Sequence, residues 1–426
     1  MFTANENFKQ NPSSKEFVKV IGTSFVLNDK NLYVVGANYW QAMNLGMSNK
    51  TRVLKDLEVL KKHGINCVRI MAGSEGPDGE PYRMRPALMN SPGVYNEEVF
   101  QGRLDWFLDQ LRKYDITAIM TLSNYWHWSG GFAQYVNWID KTTPIPYPKW
   151  GSEFLDFEEY AARFYSDEKI QKECQQLYLN HVETVINRRN MINGEFYRDD
   201  PVIFAWELAN EPQPPIYQGT NDKHHHEIFF NWIDSTANFI KSLDPNHLVS
   251  TGVEGKHGKD WFITSHRSKH IDFTSAHVWV ENWGYYNSSD PSEENYQKAE
   301  NFMIEFLENT SDWSTNISNK PILLGEFGMA RDGWKDISKY DPRATTKNKD
   351  RYFKAIADKV LQLEKQKRFS GLAFWAFAGL ARPTDSIPQW LGDPPHEPPG
   401  WYSVYDTDQS TLNIFAEHAR NVDLIE

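Results

Sequence analysis

Cysteine is scarce in this 426-residue chain. Two residues, Cys67 and Cys174, cannot build a disulfide framework, so burial rather than covalent staples must hold the core. They fall in a predicted strand and a predicted helix and read as buried thiols before they read as a bridge. Long hydrophobic runs are missing too: the stretch Gly371 to Ala381 falls far short of the roughly 20 residues a membrane span requires. Nothing here is expected to cross a bilayer. Basic runs are absent, and 45 Lys and Arg stand against 57 Asp and Glu for a formal net charge of −12. Such a chain repels phosphate backbones and anionic lipid, which argues against nucleic acid and leaves neutral ligands as the better partners. No Ser/Gly-rich or Pro-rich linker divides the chain, and no period of about 20 to 50 residues repeats. One domain is the simplest account.

Aromatics, by contrast, are plentiful: 16 Trp, 20 Tyr and 25 Phe make up 14% of the chain. That exceeds what packing needs, so some rings are expected in an exposed groove, where flat faces suit sugars as they suit nucleobases. The acidic charge decides for sugars.

Short apolar runs alternate with longer amphipathic ones, the signal of repeated β-α units around a parallel sheet. Strands are expected from Tyr33, Ile65, Ile116, Val202, His247, Ile271, Pro321 and Gly371, each short and apolar enough to be buried on both faces. Helices are expected over Thr51 to His63, Asn96 to Tyr114, Glu168 to Arg189, Glu227 to Leu243, Glu293 to Glu308, Lys347 to Lys367 and Leu412 to Asn421. The fold class is therefore α/β, a (β/α)8 TIM barrel. Before the first unit, FVKVIGTSFVLNDKNL reads as a β-hairpin turning at Asn28 and Asp29, placed to plug the barrel floor. The polar start, residues 1–16, reads as a disordered or linker-like segment with no signal-peptide core, and 17–426 as the catalytic domain. A trimmed, secreted, cell-surface or periplasmic monomer is expected. Long connections, Met71 to Asn96, Ser123 to Phe157 and Gly379 to Asp406, all follow strands, so the groove belongs at the carboxyl ends of the barrel.

Two carboxylates are expected just past strand ends, Glu211 in WELANEP and Glu326 in GEFG. On a barrel the fourth and seventh strands face each other across the mouth, so the pair can bracket one bond. Acetal hydrolysis needs such a pair, one carboxyl to protonate the leaving oxygen and one to capture the sugar, with no metal or cofactor. Alone, a glutamate at a strand end is more often a cap or salt-bridge partner than a catalyst. His224, His225 and His226 are adjacent on a helix, point to different faces and read as a solvated helix start rather than a metal site.

These motifs resemble glycoside hydrolase family 5, and more narrowly its endo-β-1,4-mannanase branch, from about Phe17 through the last helix. The resemblance implies a retaining double displacement on β-mannan, with Glu211 as acid/base and Glu326 as nucleophile. It further implies that Arg69 in CVRI buttresses the nucleophile and that Asn210 bonds the sugar 2-hydroxyl. His277 in SAHVWVENWG matches the family's histidine after the sixth strand, and Trp375 in AFWAF the platform under the sugar. Asn124 and Trp126 in SNYWHWSGG, and Glu254 in STGVEG, match mannanase positions, the last two toward the leaving group. Two departures stand out. Trp279 replaces a common tyrosine, exchanging a hydroxyl for a lone N–H donor. Gln213 replaces a common arginine, which argues against a strong second leaving-side subsite of the usual kind. Rival readings are an endo-β-1,4-glucanase, a chain-end mannobiohydrolase, a noncatalytic carbohydrate-binding barrel and, least, a metal-dependent hydrolase.

Overall fold

A computed structural model of the chain describes residues 16–45, 49–148, 154–215, 223–335, 337–382 and 392–425. The expected linker, residues 1–16, lies outside the described residues apart from Glu16.

The eight barrel strands are β1 Val34–Asn38, β2 Cys67–Met71, β3 Thr117–Thr121, β4 Ile203–Glu207, β5 Leu248–Ser250, β6 Thr274–Val278, β7 Ile322–Phe327 and β8 Gly371–Phe374. They pair in parallel in the order β5-β4-β3-β2-β1-β8-β7-β6. Between β5 and β6 the Asp272 N–H donates to the Val249 carbonyl and the Val249 N–H to the Asp272 carboxylate, at 2.9 and 2.7 Å, which nearly closes the ring. All of these strand residues are buried except Thr117, which is partly so, as expected for a sheet covered on one face by helices and filled on the other.

One apolar layer lies between strands and helices; a second fills the barrel floor. The predicted hairpin is a three-stranded meander, Lys19–Ile21, Ser24–Leu27 and Lys30–Leu32. Its second turn puts Asn28 and Asp29 at φ 51° and 58°, the left-handed geometry that short asparagine and aspartate side chains tolerate. The meander drives Phe25 into the floor, edge-on to Phe204 at 5.0 Å and Phe273 at 5.1 Å.

Predicted helices form within a few residues of their expected bounds, with one interruption: Asn96 to Tyr114 contains a wide π turn, Phe100–Asp105. Three helices of eight residues or more escaped the sequence reading: Gly131–Ile139, Leu155–Ser166 and Lys259–His266. The first opens on two glycines with positive φ and is buried around most of its girth, so it shows turn chemistry without an amphipathic stripe. It converts part of the long β3 connection into a rigid wall. Both cysteines are buried and free. Among the described residues no helix is long and apolar enough to cross a membrane.

The floor plug sits at the end of the barrel opposite the long connections. Phe25→Ala is therefore expected to cost about 3–5 kcal/mol of stability, seen as a lowered melting temperature, with turnover of the folded fraction unchanged.

Candidate active site

Glu326 lies within β7 rather than past its end, and Glu211 stands four residues beyond β4. That short extension is held on both sides. Asn210 donates its N–H to the Ser123 carbonyl and accepts from the Tyr125 N–H, while the Glu211 N–H donates to the Gly252 carbonyl at 3.0 Å. Gly252 is required there: a Cβ would fall 1.9 Å from the Ala209 carbonyl oxygen, and its φ is +78°. Glu211 itself sits at φ 48°, a conformation that costs a non-glycine residue roughly 1–3 kcal/mol. The surrounding ladder holds it in that conformation, turning its carboxyl into the mouth.

Arg69 is the centre of the buried polar network. Its Nη1 donates to Glu326 at 2.5 Å and to Asn38 Oδ1 at 3.1 Å. Its Nε and Nη2 both donate to Glu207 Oε1, and Nη2 also to Asn210 Oδ1 at 2.8 Å. Against the cost of burial, Glu207 and then Glu326 raise its pKa, so it stays charged. Glu207, also held by Thr121 Oγ1 at 2.9 Å, escaped the sequence reading although it stands in the same WELANEP motif. It supplies a second anion to the guanidinium.

His277, within β6, places Nδ1 2.7 Å from Glu211 Oε1 and 3.6 Å from Glu326 Oε2. Burial first, and the Arg69 charge second, push its pKa down to about 3, so the ring is neutral. Glu211 Oε2 accepts from the Trp126 indole N–H at 2.6 Å. Glu254 is bound by Gln213 Nε2 at 2.6 Å and Lys256 at 3.0 Å. Gln213 also accepts from His257 at 2.7 Å, so both ends of its amide are engaged by protein groups.

Burial raises the pKa of both Glu211 and Glu326. For Glu326 the Glu211 charge adds to the rise and Arg69 opposes it; for Glu211 the opposing groups are Lys256, Trp126, Arg69 and Trp279. Arg69 and Lys256 are the two cations facing the carboxyls of Glu158, Glu207, Glu211, Glu254 and Glu326, and the central pair, Glu211 and Glu326, holds its protons above the ordinary carboxylate range. Arg69 touches Glu326 directly and favours its anionic form.

These groups open into a cavity of about 410 Å³, in the range of small-ligand sites. Of the residues expected to touch ligand, Trp126, Asn210, Glu211, Glu254, Trp279, Glu326 and Trp375 line it. Arg69, Asn124 and His277 are not in its wall; they stand behind it and orient those that are. Asn124 Oδ1 accepts from Asn210 Nδ2 at 3.1 Å and from the Trp126 N–H at 3.0 Å. Trp40 is core and donates its indole N–H to the Gly392 carbonyl, whereas Trp283, in the SAHVWVENWG stretch, lines the cavity. Unforeseen wall residues include Trp128, Glu158, Lys256, Asn282, Glu397 and Trp401. The aromatic-rich rim segments hinted at some of them, and Asn282 stands in the SAHVWVENWG stretch; Lys256 carried no signal. Glu211, His277 and Glu326 offer donor atoms within 4.8 Å of one another, the one grouping among the described residues able to hold a metal ion. His226, by contrast, stacks on Trp261 at 3.6 Å.

The model of the family described as GH family 5 beta-mannosidase-like matches residues 15–426. The chain belongs to that family. Mannan endo-1,4-beta-mannosidase 1 of Arabidopsis thaliana is 30% identical over 365 residues, covering 81% of this chain and 77% of that one. Mannan endo-1,4-beta-mannosidase 4 of Solanum lycopersicum is 30% identical over 383 residues, covering 86% and 84%. Among solved structures, a glycoside hydrolase family 5 mannosidase from Rhizomucor miehei is 42% identical, covers 96% of this chain and 98% of its own, and superposes with a TM-score of 0.89. A mutant of that mannosidase has been crystallised with mannosyl-fructose. This family 5 member is accordingly a glycoside hydrolase on a (β/α)8 barrel.

Lys256 favours the ionised form of Glu211, so Lys256→Met is expected to raise the Glu211 pKa. The alkaline limb of the kcat/KM profile, where Glu211 loses its proton, should then move to higher pH. A limb that stays in place, with folding intact, contradicts the proton assignment.

Proposed function

We propose that residues 17–426 act as one catalytic domain that hydrolyses internal β-1,4-mannosidic bonds of mannan, galactomannan and glucomannan with retention of configuration. The observation that carries this reading is the closeness of Glu211 to Glu326: one oxygen of each, with His277 Nδ1, falls within 4.8 Å. Oxygens that near fit the about 5–5.5 Å carboxyl separation of retaining pairs better than the about 6.5–9.5 Å of inverting pairs, which hold a water between them. The relatives named above, called mannan endo-1,4-beta-mannosidases, support the choice of sugar.

In the first step a Glu326 oxygen bonds to the anomeric carbon as the glycosidic bond breaks, and the leaving oxygen takes the Glu211 proton. In the second, water attacks that carbon, Glu211 takes its proton back, and the bond to Glu326 breaks. Arg69 holds Glu326 anionic and aimed. Neutral His277 keeps the Glu211 carboxyl in place without supplying a competing charge, and Trp126 and Trp279 restrain it from the cavity side. Asn210, fixed by Arg69 and Asn124, presents its amide where the sugar 2-hydroxyl must lie, and Trp375 forms the floor. A polymeric substrate fits action outside the cell.

A second reading, release from a chain end, is favoured by the connection after β8, whose Pro394, His396, Glu397 and Trp401 wall the cavity. Size separation of early products distinguishes the two, a falling polymer length from a single short product.

Purified mannan, galactomannan and glucomannan are expected to be cut faster than carboxymethyl cellulose in a reducing-sugar assay; the opposite order overturns the sugar assignment. Glu211→Ala should lose about 10²–10⁴-fold on these polymers yet retain hydrolysis of activated aryl mannosides, which need no acid.

A further inference from the structure

The cavity at the barrel mouth adjoins a second, larger one of about 820 Å³, formed by the β5 and β6 connections and the helix Glu293–Asp312. Lys256 and Trp283 line both. Lys256 pairs with Glu254 and lies 5.4 Å over Trp126, the ring whose N–H binds Glu211, so the junction is on the side of the group that protonates the leaving oxygen. Trp283 is half-buried and held edge-on by Phe302 at 6.0 Å, a fixed ring at the threshold. Farther along, Trp313 is half-buried, packed against Phe262 at 5.6 Å, and lines only the second cavity. Facing the rings, Asn301, Glu305 and Asn309 recur every four residues along one stripe of the helix, and all three are exposed.

We propose that this second cavity continues the catalytic groove on the leaving side and binds the distal part of a β-linked polysaccharide chain. The proposal rests on the glycoside hydrolase reading above. Two separated rings alternating with a row of amide and carboxyl groups suit a ligand with apolar faces and hydroxyl edges. The cations in its wall are already engaged: Lys256 by Glu254, and Lys298 by the Gly284 carbonyl at 3.0 Å and the Tyr285 ring. With Lys256 paired to Glu254 and the exposed Lys298 matched in number by Glu305, the wall offers an anionic ligand no net positive charge among the described lining residues. The groove also answers the loss of the arginine that Gln213 replaces. Gln213 is tied to Glu254 and His257, so the chain gains its leaving-side hold farther out, beyond Lys256 and across Trp283.

The test uses the full-length chain carrying Asn301→Ala and Glu305→Ala together, both exposed and unneeded for packing. Expected is a fall of about fivefold or more in kcat/KM for mannohexaose, with kcat/KM for an aryl β-mannoside unchanged. An equal fall on both substrates, or none on the hexasaccharide, overturns the proposal. A second measurement separates the groove from the identity of the sugar. In the Glu326→Gln protein, the indole N–H resonance of Trp313 should shift on adding mannohexaose and stay still with mannobiose. If cellohexaose alone moves it, the groove stands and the mannan assignment falls; if neither hexasaccharide moves it, the groove assignment is wrong.

Discussion

The guanidinium of Arg69 is the interaction on which the site depends. It is buried, sits inside a barrel strand, and reaches Glu326 on one side and Glu207 on the other while fixing Asn38 and Asn210. Burying so many carboxyls without a cation among them carries a penalty of several kcal/mol per ion, and removing Arg69 would leave Glu207 and Glu326 uncompensated. With Arg69 present, Glu207 and Glu326 share one buried cation, and burial raises the pKa of both Glu211 and Glu326. The network thereby shapes the mouth and gives the two carboxyls different surroundings, Arg69 at Glu326 and Trp126 with His277 at Glu211, the asymmetry that the proposed acid and nucleophile require.

The barrel supplies what a shorter fold could not. Parallel strands filled at one end by the Phe25 plug make a rigid cup, and the strand extensions at the other end carry the chemistry. The left-handed Glu211 shows where rigidity is spent. Its conformation persists because Ser123, Tyr125 and Gly252 fix the backbone on either side, and only a glycine at 252 lets the neighbouring segment come close enough.

Much of this was legible in the residues. Eight apolar runs set between amphipathic stretches marked the strands because a filled parallel barrel buries both faces, and the two glutamates stood out by lying near strand ends. What was hidden has physical reasons. The helix Gly131–Ile139 is buried nearly all round and so lacks an amphipathic period. Glu207 reads as an ordinary strand-end acid until the fold brings Arg69 to it from β2. Arg69 was expected to brace Glu326 and does, whereas the part played by Asn124 and His277 stayed open, because linear sequence does not distinguish a wall residue from the one that braces it. Lys256 and Asn282 are polar residues in loops, and only the closure of the mouth places them at the cavity.

The central claim, Glu211 as acid beside an anionic Glu326 at the spacing of a retaining pair, is tested most directly by proton NMR of the first product released from a β-linked mannan oligosaccharide. The account predicts that the new reducing end appears first as the β-anomer and drifts to the equilibrium mixture by mutarotation. An α-anomer formed first means inversion, and would contradict the paired roles assigned to Glu211 and Glu326.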